Sequence, residues 1–304
     1  MKLNRCIVCG SYVFKIRYKG NIKVNEIIDQ SNFMFGRDKI VRPDIIECTK
    51  CRFAWSNFDY DSIALKELYG ENKNDYFDEI EPEKIESFTW IYREIMGKLP
   101  DMSNSGKIFD IGAFTGVFLN IMKNSGWTTS GLEISKQAVR YAKLKYDINI
   151  IHHFISNDLF EIKKLVQDKY DVVTALDVIE HLADPSIIFK IGDILLTDNG
   201  CLVLSMPNYM SINRKLSGKS FNLFLIEHIW YFSPQTIRMY AKKFNYEPIM
   251  INDLVSYHSI KSVICRLSQY PNLKFLANLN FPIFNKILMK IKRGDMVVVL
   301  KKTI

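Results

Sequence analysis

From Lys107 onward the chain alternates short apolar runs with amphipathic stretches of several helical turns, and that alternation admits very few folds. KIFDIG (107–112) reads as strand, TGVFLNIMKNSG (115–126) as helix, WTTSGLEI (127–134) as strand and SKQAVRYAKLKY (135–146) as helix. Ser135 suits the N-cap of that helix because its hydroxyl can accept from a free backbone N–H. NIIHHFI (149–155), YDVVTALD (170–177) and GCLVLSMP (200–207) follow as strands, and DPSIIFKIGDILL (184–196) as helix. SPQTIRMYAKKF (233–244) is a helix with Ser233 at its N-cap and Pro234 in its first turn. YEPIMINDLV (246–255) and DMVVVLKK (295–302) form a closing strand pair. Strands spaced by helices require a mostly parallel sheet covered on both faces, with any ligand beyond the carboxyl ends of the strands. Informative residues should therefore lie just after strands.

They do. Asp110, Gly112 and Gly116 follow the first strand, and Glu133 closes the second, 21 residues beyond Gly112. A carboxylate at that distance suits two ribose hydroxyls of an adenosine moiety. The pyrophosphate pattern G-x-G-x-x-G would need glycines at 114 and 117, where Phe114 and Val117 stand. The frame D/E-x-G-x-G-x-G fits in register and loses only its middle glycine, to Phe114. The ring at 114 either turns away from a ligand or walls it, and a bare strand-to-helix turn with a hydrophobic plug is the plain alternative. Tyr141 and Lys145 spell Y-x-x-x-K, but on the helix right after Glu133, too early for dehydrogenase chemistry; they read as a solvated helix face.

The N-terminus follows another logic. CIVC (6–9) and CTKC (48–51) are two C-x-x-C knuckles, with 38 residues between Cys9 and Cys48. Each knuckle presents two thiolates from one tight turn, so Cys6, Cys9, Cys48 and Cys51 complete a closed tetrahedral shell, expected to hold a structural zinc ion. YVFKIRYKG (12–20) and NIKVNEII (21–28) alternate as hairpin strands would. Redox C-x-x-C pairs normally open a helix after a strand, which is not the context here. Residues 57–82 turn acidic and end at Pro82, reading as a connector with a short helix; EKIESFTWIYREIMGKL (83–99) is the next helix. The expected organisation is a zinc-binding domain over 1–60, a helical connector over 61–106 and an α/β domain over 107–304.

Charge and hydropathy remove other classes. No apolar run reaches the roughly 18–20 residues that span a bilayer, and MKLNRCIVCG resembles no leader peptide, so a cytoplasmic protein is expected. The net charge of +8 comes from residues 261–304, which hold nine Lys/Arg against one acid, Asp295. With no basic helix or RNA-binding signature, nucleic acid is not the expected partner. A solvated face, an anionic sugar nucleotide or a lipid headgroup accounts for such a tail equally well.

The order FDIGAFTGVFL, GLEISKQAVRYAK, YDVVTALDVIEHLADP, GCLVLSMPN, EHIWYFSPQTIRMYAKKFNYE and GDMVVVLKK resembles class I S-adenosylmethionine-dependent methyltransferases of the Methyltransf_23 type, those with an N-terminal four-cysteine zinc domain that occur in saccharide pathways. The resemblance implies a Rossmann-like seven-stranded sheet, helices on both faces and the last strand antiparallel, plus a small zinc-ribbon-like domain. It implies that S-adenosylmethionine meets Asp110, Gly112 and Gly116 at its methionine end and Glu133 at its ribose. Ser156-Asn157-Asp158 would face the adenine, with Asp158 equally readable as a helix cap, and Asp177 would border the sulfonium.

The acceptor implied is a sugar or sugar nucleotide, small or carrier-linked. The EH…YFS segment resembles that of zinc-bearing sugar C-methyltransferases, which makes His228 the expected base with Glu227 beside it; a histidine buried among Trp230 and Tyr231 is the plain alternative. His181 is expected to cap a helix or orient the cofactor loop, and His152 and His153 to be structural. Tyr69, Tyr76, Tyr209, Trp230 and Tyr231 are offered as aromatic walls for a saccharide, half of them core by default. Residues 209–232 and 256–292 are expected lid segments, the latter also a dimer or peripheral membrane contact. Two rivals stand beside this reading: a zinc-bearing interaction protein on an inactive methyltransferase scaffold, and an NAD-dependent sugar-modifying enzyme.

Overall fold

The computed structural model describes residues 4–21, 43–57, 77–98, 105–155, 158–268, 275–276, 279 and 281–303. Three strands belong to the N-terminal lobe: β1 (Phe14–Tyr18), β2 (Ile45–Cys48) and β3 (Ala54–Ser56). Helix α1 (Phe77–Met96) leads into the α/β body. There β4 (Lys107–Ile111), α2 (Val117–Asn124), β5 (Thr128–Glu133), α3 (Lys136–Tyr146) and β6 (Ile151–His152) follow in turn. Next come α4 (Leu159–Leu165), β7 (Tyr170–Leu176), α5 (Ser186–Leu195), β8 (Leu196–Pro207) and α6 (Ile212–Ser217). The chain continues through β9 (Trp230–Tyr231), α7 (Pro234–Ala241), β10 (Tyr246–Asp253), β11 (Ser256–Ser259), α8 (Ile260–Leu267), β12 (Leu288–Ile291) and β13 (Asp295–Lys302).

The large sheet has seven strands in the order β10-β13-β8-β7-β4-β5-β6. Pairs β4–β5, β4–β7, β5–β6 and β7–β8 are parallel, whereas β13 runs antiparallel to both β8 and β10. This is the expected seven-stranded mixed sheet. Side chains alternate across it: Phe109, Val173, Leu202 and Val298 pack on one face, Ile108, Val172, Val203 and Val297 on the other, the latter under α1 and α2. Each such side chain contributes about 1.5–3 kcal/mol by leaving water. The predicted caps are in place: Ser135 accepts from Ala138 N, and Ser233 forms a capping box with Thr236, with Pro234 opening α7.

Two expectations need correction. Pro82 does not end a segment; α1 starts at Phe77 and runs through it. The proline removes one helical hydrogen bond, and tertiary contacts hold the turn before it. Phe77 meets Phe114 and Tyr141 edge to face, and Lys145 pairs with Asp78 and Glu81. Tyr141 and Lys145 are therefore the dock for the start of α1, not an idle solvated face; the Tyr141 hydroxyl donates to Asp78 at 2.6 Å. Finally, the residues between β10 and β13 contain a two-stranded antiparallel ladder, β11–β12, with α8 between its strands. Most of the strand expected at 21–28, and Tyr69, Tyr76, Ser156 and Asn157, lie outside the described residues.

Glu83 pins that insertion to α1. Its Oε1 accepts from Ser259 N at 2.9 Å and Ser259 Oγ at 2.7 Å, and its Oε2 meets His258 Nδ1 at 3.0 Å. Burial opposes the charge, but His258, Ser262 and Ser259 outweigh it and hold Glu83 down at about 2. Because the folded value lies below the unfolded one, the stabilisation is complete above the ordinary value and shrinks as pH falls toward the folded value. Glu83→Ala is expected to cost about 2 kcal/mol near neutrality. Urea melts should show the gap between variant and wild type closing from roughly pH 5 to pH 2; a gap that does not change with pH would reject the assignment.

Candidate functional site

The carboxyl rim of the parallel strands brings most of the expected residues together. After β4 the chain turns through Gly112, Phe114 and Gly116, all left-handed, with φ of 74°, 48° and 74°. A Cβ at Gly112 would sit 2.7 Å from Val178 Cγ2, so no side chain fits there. Phe114 thus adopts the conformation the missing glycine would supply, at a cost of about 1 kcal/mol for a residue with a Cβ. Its N–H donates to Glu133 Oε2 at 2.9 Å, and its ring packs on Phe77. Phe114 plugs the gap under α1 while its backbone keeps the loop's form.

Glu133 is the hub of this turn. Oε1 accepts from Ser135 N at 2.7 Å, so its two oxygens bridge the β4 loop and the start of α3. Asp110 is buried at the end of β4, where Thr174 Oγ1 donates to it at 2.5 Å. Burial pushes Asp110 up to about 7, against the Thr174 hydrogen bond and with help from the neighbouring Glu133 charge. Burial raises Glu133 as well. Thr174 escaped the sequence reading, although a polar residue amid the apolar positions of YDVVTALD was a signal.

Asp177 follows β7 in a left-handed conformation, φ 56°, and its Oδ1 accepts from Ser205 Oγ of β8 at 2.6 Å. Asp158 is the N-cap of α4, accepting from Phe160 N and Glu161 N. The adjoining 3-10 turn, Ile179–His181, carries Glu180 and His181. The Nδ1 of His181 lies 3.0 Å from the carbonyl of Glu227, and its ring meets His228 edge to face at 4.7 Å. His228 is buried, with Nδ1 2.9 Å from the carbonyl of Leu223. A carbonyl cannot donate, so each Nδ1 carries the proton and each Nε2 the lone pair. Burial lowers His181 to about 4 and, with His181 adding to it, pulls His228 well down, so both rings are neutral at pH 7.

Glu180, His181 and His228 offer ligating atoms within 4.8 Å of one another. Glu180 is buried, and its Oε2 has no hydrogen-bond partner among the described residues. Burial, then Asp177, holds Glu180 well above the usual carboxylate range. Arg293, paired through Nη2 to Asp295 at 2.9 Å, stands where β13 begins beside the end of β8. The aromatic walls are corrected: Tyr209, Trp230 and Tyr231 are core. Tyr209 donates to Glu47 Oε2 at 2.8 Å and Trp230 Nε1 to the Leu182 carbonyl at 2.7 Å.

In the N-terminal lobe, Cys6, Cys9, Cys48 and Cys51 converge without disulfides, their sulfurs within 4.8 Å of one another. Cys6–Cys51 and Cys9–Cys48 are 3.6 and 3.5 Å apart. A tetrahedral ion with sulfur arms of about 2.3 Å would set its ligands about 3.8 Å apart, so four soft donors at this size fit one thiophilic divalent ion. Among the described residues, no helix is long and apolar enough to cross a membrane.

Residues 87–250, from α1 into β10, match the family model Methyltransf_23, described as a methyltransferase domain. Over 146 residues the chain is 25% identical to the ubiquinone biosynthesis O-methyltransferase of Pasteurella multocida, covering 45% of this chain and 58% of that protein. It is 32% identical over 104 residues to the mitochondrial ubiquinone biosynthesis O-methyltransferase of Arabidopsis thaliana, covering 34% of this chain and 32% of that one. The chain therefore spans little more than half of the first relative's length and about a third of the second's. Among solved structures it is similar to a SAM-dependent methyltransferase from Archaeoglobus fulgidus, with a TM-score of 0.49 and 17% identity over 75% of this chain and 100% of that chain.

Proposed function

The chain belongs to the Methyltransf_23 family of methyltransferase domains, and from that premise we propose that it is an S-adenosyl-L-methionine-dependent methyltransferase. Its proposed acceptor is a sugar or sugar nucleotide, small or carrier-linked. The observation that carries the reading is the β4 loop: left-handed backbone at 112, 114 and 116, tied by Glu133 at the rim of the sheet. Because Phe114 keeps a glycine's conformation, the lost glycine does not argue for an inactive scaffold. Bound S-adenosylmethionine supplies an electrophilic methyl group on a sulfonium. Asp110 complements the ligand's ammonium, the Gly112 and Gly116 turn admits its amino-acid arm, and Glu133 accepts from the ribose. Asp177 borders the sulfonium and Asp158 lies toward the adenine. His228, as base, takes the proton that the acceptor loses, with Glu227 holding the neighbouring His181 through its carbonyl. Cys6, Cys9, Cys48 and Cys51 hold a structural zinc ion with no open position.

Calorimetry with S-adenosylhomocysteine tests the cofactor assignment. Micromolar binding is expected; none at millimolar ligand would sink it, and a thermal shift with NAD instead would revive the dehydrogenase reading. A carboxylate, not a carboxylic acid, attracts the ligand's ammonium, and Asp110 sits at about 7. Affinity should therefore rise about tenfold from pH 6 to pH 8. Elemental analysis should return one zinc per chain; a fully folded protein without metal would remove the clip. The sugar reading draws on the lobe and the EH…YFS segment, whereas the similar ubiquinone enzymes act, by their names, as O-methyltransferases. Turnover of amino- or hydroxysugar nucleotides but not of catechols decides for the sugar.

A further inference from the structure

Strand β9 lies just beyond His228, in the α/β half of the sequence, yet it completes the sheet of the N-terminal lobe. The order is β1-β2-β3-β9, with Ala54 opposite Tyr231 and Trp55 opposite Trp230. Ile229, next to His228, is held from two sides: its N–H donates to the Glu180 carbonyl and its carbonyl accepts from Ser56 N–H, both at 2.8 Å. The lobe's partner strand is fixed in turn by the metal knuckle. Cys48 ends β2, Cys51 lies in the turn to β3, and Cys48 N donates to the Phe53 carbonyl at 2.9 Å. Phe53 packs against Trp55, Trp230 and Phe232, and Glu47 of β2 takes the Tyr209 hydroxyl while Tyr209 N donates to Phe232 O at 2.7 Å.

We infer that the four-cysteine lobe is a positioning element for His228, acting through the β3–β9 ladder and the Ser56–Ile229 hydrogen bond. A hairpin as short as β2–β3 is marginal by itself; the sulfurs close it, and only a closed hairpin offers β9 a fixed edge. Without that edge the Ile229 carbonyl loses the Ser56 N–H and β9 loses its partner strand, and a buried polar group without a partner drives rearrangement. The imidazole of His228 then loses its fixed approach to His181 and Glu180. Ser56 is the positioning residue, through its backbone N–H to the Ile229 carbonyl.

The catalytic consequence rests on His228 being the base; the physical test does not. In the full chain, chelating the metal should speed amide exchange at residues 229–232 by about tenfold or more, while β4 and β7 stay protected. Diethyl pyrocarbonate, followed by mass spectrometry, should label His228 several-fold faster, and S-adenosylhomocysteine should bind as before. Ser56→Pro, which deletes the one donor and leaves all four cysteines, should reproduce both changes with the metal still bound. Unchanged exchange and labelling after metal loss would make the lobe a passenger and overturn the inference. Equal loss of protection in β4 and β7 would overturn it too, because the metal would then hold the whole fold. Failure of S-adenosylhomocysteine to bind at all, with the exchange pattern as expected, would count against the cofactor reading alone.

Discussion

Glu133→Ala is expected to weaken S-adenosylhomocysteine binding by roughly 100-fold or more, the largest loss of affinity for any single change at the rim. Both oxygens of Glu133 already accept from backbone N–H groups, Phe114 at 2.9 Å and Ser135 at 2.7 Å. Each keeps a second lone pair for a ribose hydroxyl. On the proposed ribose assignment, truncation removes two charge-assisted hydrogen bonds to the ligand, each worth about 1.5–3 kcal/mol, and frees the turn at Phe114. It also strands two N–H donors, so the melting temperature should fall in the same variant. Glu133→Gln keeps the size but turns an amide NH₂ toward one of those donors, and should lose less. Calorimetry decides: a change in affinity below threefold for Glu133→Ala would take the ribose away from this carboxylate and leave it a purely structural brace.

His228→Ala should leave that affinity within about twofold and cut turnover by about 10²–10⁴, the range for loss of a general base. The imidazole is buried, its Nδ1 proton is committed to the Leu223 carbonyl, and Nε2 holds the lone pair. Burial, with His181 alongside, pulls the group well below the ordinary 6.5. At saturating cofactor, where the titration of Asp110 drops out, the acid limb of kcat should therefore fall below the usual imidazole range. An acid limb at or above that range, or undiminished turnover in the alanine variant, would remove His228 from the chemistry. His181→Ala is the informative companion, since it removes the ring that His228 packs against and one lone pair of the cluster but not the base.

Much of this was legible in the residues because the rules involved are local. The strand–helix alternation fixed the parallel core, and the closing strands appeared where DMVVVLKK and YEPIMINDLV placed them. Ser135 and Ser233 were readable as caps because capping joins atoms only a few residues apart. The two C-x-x-C knuckles announced their own convergence. Phe114 stands where the loop pattern has a glycine, but a sequence cannot say which φ a phenylalanine will accept; tertiary contacts from Phe77 and Glu133 decide that.

Other features depended on partners far along the chain. Tyr209, Trp230 and Tyr231 looked like pocket walls because aromatics near a rim serve either as wall or as core, and only their neighbours choose. Glu47, 162 residues from Tyr209, makes the choice for that ring. Helix α1 passes through Pro82 because Lys145 and Tyr141 dock the turn before it, a contact that no local propensity encodes. Whether His181 caps a helix or supports the cofactor loop is not written locally, and its contact with the Glu227 carbonyl and the His228 ring joins segments far apart in the chain.

Periodicity, capping and glycine spacing thus determined from sequence alone that the chain would build a doubly covered sheet with acids at its rim and a four-sulfur clip. The helix caps, the turns and each C-x-x-C knuckle depend on interactions spanning one or two turns, and the repetition of that local pattern along the chain implies the sheet and the cluster they assemble into. Only the tertiary structure decided that a strand beside His228 would finish the lobe's sheet and bind the two halves at the candidate base. Strand pairing across 175 residues, Trp55 to Trp230, is settled by which buried backbone groups lack partners once everything else has packed.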